Sequence, residues 1–274
     1  MRWMSWAGFR SRKPGKTVTP LLAFNVEDQN KTVIGAAPAG TSDTQSAARA
    51  VRAMFTSIAP RYDLLNHVLS LNVDRLWWRR AAKSFSAILS RGDARVLDLC
   101  CGTGDMTQAL KRQAASTAQI TGADFSHAML QRASAKSKGS PLRWIEADAL
   151  NLPFGAAQFD LVTSAFGFRN LANYDDGLRE ILRVLREGGE CGILDFGEPK
   201  GMIGHGYRFY FKRVLPAVGT VISGVKGPYA YLPASVQRFP APDEMLERMR
   251  RVGFREASWT PYTFGIAGLY RGKK

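Results

Sequence analysis

The chain has 274 residues, enough for one large domain with an extension, and its 45% hydrophobic and 22% charged content is ordinary for a globular protein. Its charge is not ordinary: 38 basic against 23 acidic side chains give a net +15, a field that attracts nucleic acid, anionic lipid or an anionic substrate. No apolar run is long enough to span a bilayer, and Cys100, Cys101 and Cys191 form no metal-ligand spacing with the three histidines, so neither a membrane span nor a metal is expected.

Residues 1–46 mix Gly, Pro, Ser, Thr and Ala without a period, which predicts a disordered or loosely attached basic tail. Its first residues, MRWMSWAGFRSRKPGK, lack the apolar core of a secretory signal, and reduced thiols fit a cytoplasmic protein. The rest, 47–274, reads as one catalytic domain. Over 47–90 the pattern is helical: Val51, Met54, Phe55 and Ile58 recur at i, i+3, i+4 and i+7. Pro60 interrupts, a second helical stretch covers Tyr62–Leu69, and a third begins near Val73.

Strands and helices then alternate. Strands are predicted at 95–99, 119–123, 142–146, 159–164 and 190–196, with helices at 104–115, 126–138 and 174–186. That alternation implies a parallel sheet covered on both faces. Residues 200–242 contain no acid but carry six basic side chains interleaved with tyrosines and phenylalanines, as a lid insertion would. A helix at 242–252 ends at Gly253, and two strands, 255–262 and 264–271, meet at Thr263. So short a connection makes them antiparallel. The fold class is therefore α/β, a mostly parallel sheet of seven strands with an antiparallel element and extra N-terminal helices.

In such sheets ligands lie beyond the carboxyl ends of the strands. There the chain reads CCGTGD, with Gly102, Thr103 and Gly104 between the first strand and its helix. The third glycine of a dinucleotide fingerprint is absent, and Asp105 stands where a pyrophosphate would meet the helix. A ligand with a sulfonium and an amino group and no phosphate, S-adenosylmethionine, suits that turn better. The acids agree. Asp98 lies inside the first strand, where a charge needs a partner. Asp124 closes the second strand, placed to accept from ribose hydroxyls, and Asp148 follows the third, placed to accept from an adenine amino group.

At these residues the chain resembles the class I, seven-strand methyltransferases through VLDLCCGTGD, GADFS, ADALNLPF, FDLVTSAFGFRN and LRVLREGGECGILDF. Through FTSIAPRYDLLNHVLSLNVDRLWWRR, FGFRNL, YLPASVQRFP and GIAGLYRGKK it resembles, more narrowly, the C-methyltransferases of ubiquinone and menaquinone biosynthesis, over about residues 50–272. The resemblance implies Thr103, Asp124, Asp148 and Ala149 as cofactor contacts, and a polyprenylated quinol as substrate, demethylmenaquinol or its benzoquinol counterpart. One family contact, a Ser before the FGFRN segment, is Ala165 here.

Ring C-methylation needs a phenolate, and a free phenol has a pKa of about 10. Arg169 is expected to stabilise it and Asn170 to hold the second hydroxyl or orient Arg169, while Tyr62 folds over the reacting atoms and excludes water. The D/N-P-P-Y loop of exocyclic-amine methylation is missing after the fourth strand. Covalent attack on an RNA pyrimidine needs an accessible cysteine near that loop, whereas Cys100 and Cys101 are expected in the cofactor turn and Cys191 at the start of a buried strand. Nucleic acid is therefore not expected as a partner. An anionic membrane surface is, met peripherally through the basic ends, along with a second copy of the chain or other quinone-pathway enzymes. A non-catalytic cofactor-binding subunit of such an assembly is the alternative, against which Arg169 and Asn170 together argue.

Overall fold

The computed structural model describes residues 35–59 (except 39), 70, 72–199, four isolated positions between 204 and 213, and 228–274. Helix α1 spans Thr44–Ile58, α2 Val73–Lys83 and α3 Ser86–Leu89. Then follow β1 (Arg95–Leu99), α4 (Asp105–Gln113), β2 (Gln119–Asp124), α5 (His127–Lys136), β3 (Arg143–Glu146), β4 (Phe159–Ala165), α6 (Tyr174–Val184) and β5 (Leu185–Phe196). The chain closes with α7 (Pro228–Arg238), α8 (Pro242–Val252), β6 (Arg255–Tyr262) and β7 (Ala267–Lys273).

The seven strands form one sheet in the order β3-β2-β1-β4-β5-β7-β6. The first five are mutually parallel, and β7 runs antiparallel between β5 and β6. Alternate residues of β1 serve opposite faces. Val96 packs with Trp77, Phe85, Met106 and Leu110 of α2 and α4 and the segment after α2. Leu97 and Leu99 pack with Leu178, Ile181, Met245 and Met249 of α6 and α8. With both faces covered, the site has only the strand ends to occupy.

Local chemistry sets the boundaries. Asn173 caps α6 by accepting from the backbone N–H groups of Asp175 and Asp176. Gly253, at φ 115°, ends α8 in the left-handed conformation where the sequence predicts it. The last strand begins at Ala267 rather than 264, because Thr263, Phe264 and Gly265 hold φ of 45°, 58° and 89° and cannot join a ladder. β5 begins at Leu185, earlier than expected, with Phe159 paired to Leu185 across a register shift. Gly35 and Ala36 donate to the carbonyls of Ala172 and Leu171, so the chain is attached to the domain ahead of α1. The helical stretch Tyr62–Leu69, with Tyr62 itself, and most of the basic insertion over 200–227 lie outside the described residues.

Candidate active site

The carboxyl ends of β1, β2 and β4 open into a cavity of about 740 Å³, including its mouth. Leu99, Cys100 and Gly102 line it from the first turn, Ala123 and Asp124 from the second, and Asp148 and Ala149 from the loop after β3. Phe166, Gly167 and Asn170 come from the loop after β4, while Ala48 and Phe55 roof it from α1. Among the described residues its wall carries two carboxylates and no Lys or Arg.

The turns forming this wall are held in left-handed backbone. Cys100, Gly102, Gly104 and Phe166 have φ of 50°, 53°, 84° and 57°. A Cβ on Gly167 would stand 2.3 Å from the Cβ of Cys100, so the β1 and β4 turns meet only because residue 167 has no side chain. Gly104 answers to a different neighbour. A Cβ there would fall 2.5 Å from the indole of Trp144 on β3. Gly104 therefore makes room for a side chain of this protein.

Asp124 is buried, with Oδ2 accepting from Gly102 N at 2.8 Å and Oδ1 from Ser126 N at 2.9 Å. Burial pushes its pKa up to about 6, against the lowering effect of those two N–H groups and of Arg52. Asp148 faces the same cavity, and its Oδ1 accepts from Leu150 N at 2.9 Å. Burial raises its pKa, and the Leu150 N–H and Arg52 lower it. Each oxygen still has a lone pair for a ligand hydroxyl or amino group. Two acids held by neutral donors, small apolar walls and no cation fit a nucleoside without phosphate. Asp124 would take the ribose hydroxyls of S-adenosylmethionine, and Asp148 with Ala149 its adenine.

Three other expected cofactor residues stand behind the wall. Asp98 is fully buried on the Val96 face and accepts from Thr107 Oγ1 at 2.6 Å and Thr163 Oγ1 at 2.8 Å. Burial pushes its pKa up to about 7. It ties β1, α4 and β4 together beneath the glycine turn. The hydroxyl of Thr103 engages Lys136 Nζ at 3.1 Å and Asp105 Oδ2 at 3.3 Å, and Gly104 lies under Trp144.

On the β4 side, Arg169 sits in a short 3₁₀ turn, Phe168–Asn170, and is buried. Its guanidinium does not line the cavity. Nη1 donates to Asp195 Oδ1 at 3.0 Å and to the carbonyl of Phe166, while its backbone N–H donates to Asp195 Oδ2 at 3.0 Å. The expected open cation at the phenol is thus an inward ion pair, because Asp195, fully buried at the end of β5, requires one. Arg169 Nε is buried and has no hydrogen-bond partner among the described residues. Asn170 does line the cavity, and its Oδ1 accepts from the hydroxyl of Tyr231 on α7 at 3.2 Å. That contact turns its amide N–H donors toward other acceptors.

Asp195, Tyr231 and Arg52 went unassigned by sequence reasoning. An acid inside a buried strand, as in ILDF, is the same signal that singled out Asp98. Nothing local announces its partner, 26 residues away.

The cysteines are poor nucleophiles. Burial drives the pKa of Cys100, Cys101 and Cys191 upward. Among the described residues no group of His, Cys, Asp and Glu could hold a metal ion.

Comparison with known proteins decides among the chemistries this cavity permits. The pattern of the ubiE/COQ5 methyltransferase family matches residues 42–274. The chain belongs to that family. It is thus an S-adenosylmethionine-dependent methyltransferase of quinone biosynthesis. It is 48% identical over 235 residues to the demethylmenaquinone methyltransferase of Deinococcus radiodurans, covering 85% of this chain and 95% of that one. It is 44% identical over 229 residues to the ubiquinone/menaquinone biosynthesis C-methyltransferase UbiE of Geobacter sulfurreducens, covering 82% and 88%. Among solved structures, a methyltransferase from Thermotoga maritima superposes with a TM-score of 0.57 at 19% identity, over 81% of this chain and 98% of that one. The [4+2]-cyclase SpnF superposes at 0.59 and 18% identity, over 87% and 98%. The fold alone therefore does not name the reaction.

Proposed function

We propose that this protein methylates a ring carbon of demethylmenaquinol, a polyprenylated naphthohydroquinone, to give menaquinol. The observation that carries this reading is the 48% identity to the demethylmenaquinone methyltransferase of Deinococcus radiodurans along 95% of its length. Bound S-adenosylmethionine supplies an electrophilic methyl group on a sulfonium. As the new bond forms at the ring carbon the methyl–sulfur bond breaks, the electron pair staying with the sulfur of S-adenosylhomocysteine, and the ring carbon then gives up its proton to water.

The chain's own residues make that carbon a nucleophile by favouring the phenolate. Asn170 offers its amide N–H to the phenolic oxygen, held in that sense by the hydroxyl of Tyr231. Burial pushes the pKa of Tyr231 up to about 12, so its hydroxyl keeps its proton as a donor. Arg169 holds the turn that presents Asn170, through its bonds to Asp195 and to the carbonyl of Phe166. Tyr62 is proposed to close over the reacting atoms. The substrate's tail stays in an anionic bilayer, which the protein meets peripherally; among the described residues no helix is long and apolar enough to cross a membrane.

Methyl transfer from labelled S-adenosylmethionine to demethylmenaquinol, to the benzoquinol counterpart and to RNA tests this reading. Label should enter the naphthoquinol with the highest kcat/KM. A preference for the benzoquinol, or label in neither quinol, overturns it.

A further inference from the structure

We infer that the outer face of α2 and the tip of the β6–β7 turn form one surface that docks on an anionic lipid bilayer beside the cavity. The inference rests on the quinol reading above for its purpose, but not for its geometry.

Leu76 and Phe264 are the two large apolar side chains that the described residues leave exposed, at 54% and 77%. They lie far apart in sequence but on neighbouring elements. Trp77, next to Leu76, donates from Nε1 to Thr263 Oγ1 at 2.8 Å, next to Phe264. The guanidinium of Arg80 lies 4.3 Å above the ring of Tyr262, at the start of the same turn. The turn itself takes an unusual form, with residues 263–265 all at positive φ. A bulky aromatic held there with its ring in solvent has no packing reason of its own.

Charge completes the surface. Leu76, Arg79, Arg80 and Lys83 follow one another at helical spacing, and with Arg75 all are exposed. The single acid of α2, Asp74, is buried. Among the described residues, Glu198 is an exposed acid near the turn. An apolar centre with a basic surround matches an interface of anionic headgroups over acyl chains. RNA would use the arginines and the aromatic ring, but it has no use for the aliphatic Leu76.

Position is the remaining argument. Ala267, just past the turn, pairs with Phe196 at the carboxyl end of β5, so the turn stands on the same edge of the sheet as the cavity. Trp77, Phe166 and Phe196 pack together, with centroids 5.7 Å apart for Trp77–Phe166 and 4.6 Å for Phe166–Phe196. Phe166 also lines the cavity. These packed rings join the cavity wall to the docking surface, so a membrane met by that surface lies beside the cavity.

The test is partition of the full-length protein onto vesicles of phosphatidylcholine with phosphatidylglycerol, measured without quinol or cofactor. Leu76→Gln/Phe264→Gln should lower partition by about tenfold or more. Arg75→Gln/Arg79→Gln/Lys83→Gln should lower it about a hundredfold in low salt, and little at 1 M salt. Melting temperature and affinity for S-adenosylhomocysteine should stay unchanged in both. No wild-type partition, or equal partition of wild type and the apolar variant, overturns the proposal. So does an equal loss of RNA binding and vesicle binding in that variant. A clear fall in its melting temperature would show that other residues of this chain cover Phe264, and also overturns it. Because the assay holds no quinol, its failure leaves the methylation reading untouched, and vesicle binding would survive the failure of that reading.

Discussion

On the side of the cavity we assign to the adenosine, buried acids are held by neutral donors; on the side we assign to the quinol, the buried acid is held by a cation. Asp124 and Asp98 accept from backbone N–H groups and threonine hydroxyls, and burial raises both toward neutrality. Asp195 instead closes on Arg169. Groups of the first kind can relieve an unmet demand by taking a proton, and a wall acid of that kind can turn to a ligand. A closed ion pair can do neither, so it fixes geometry.

The largest expected effect follows from that difference. Arg169→Met would leave Asp195 buried without its cation and should destabilise the protein by about 3–5 kcal/mol in urea unfolding. Adding Asp195→Leu should recover most of the loss. Thr107→Val, which removes a neutral donor from Asp98, should cost only about 1–3 kcal/mol, since that carboxyl can hold a proton instead. Equal losses for Arg169→Met and Thr107→Val would break the comparison.

A smaller effect sharpens the adenosine side. Asp124→Asn keeps an acceptor for one backbone N–H but loses the charge and should weaken cofactor binding by about 1.5–3 kcal/mol in calorimetry. The wild-type pH profile should report the same group. A ligand that donates to the carboxylate binds its ionised form, so affinity rises with pH through about 6 and is flat above. Below that it falls by up to about tenfold per unit. The opposite sign holds for stability without ligand. Between the unfolded value near 4 and folded values of about 6 for Asp124 and about 7 for Asp98, the folded chain holds protons that the unfolded chain has released. These two acids therefore make stability fall as pH rises through that window. Asp124→Asn should flatten the binding profile while Asp98→Asn leaves its midpoint in place.

The two sides also differ in what the sequence discloses. Apolar periodicity and glycine breaks specify the strands, because a doubly covered sheet writes its burial into each segment. That Asp124 and Asp148 stand in the cavity wall is legible for a similar reason: Asp124 closes β2 and Asp148 follows β3, at the end of the sheet where ligands bind. Asp98 carries an equal signal, but the period alone cannot tell a wall from the layer beneath it, and that acid lies beneath. Arg169 was noticed through its motif, yet its partner Asp195 arrives from another strand. Tyr231 meets Asn170 across 61 residues. No local pattern encodes such a meeting. The α1 roof was legible as a helix but not as a roof, since its contacts with the wall are tertiary.

That roof gives the smallest expected effect, and the one that tests the adenosine side most finely. Arg52 of α1 pairs with Glu146 at the end of β3, and Glu146 Oε2 also meets His127 Nδ1 at 3.2 Å. Arg52 lowers the pKa of Asp124 and Asp148, while Glu146 raises that of Asp124. Removing either charge should therefore move the pH midpoint of cofactor binding in opposite directions. Arg52→Gln should raise the midpoint, weakening binding several-fold near pH 6 and hardly at all at pH 8. Glu146→Gln should lower it and strengthen binding near pH 6. Arg52 is about one-third exposed, so solvent screening should hold each effect below about 1 kcal/mol. Raising the salt should shrink both shifts together. Calorimetric titrations of S-adenosylhomocysteine at pH 6 and pH 8 read this directly. Shifts of the same sign for both variants would mean that α1 acts on the cavity by packing through Ala48 and Phe55, not by its charge.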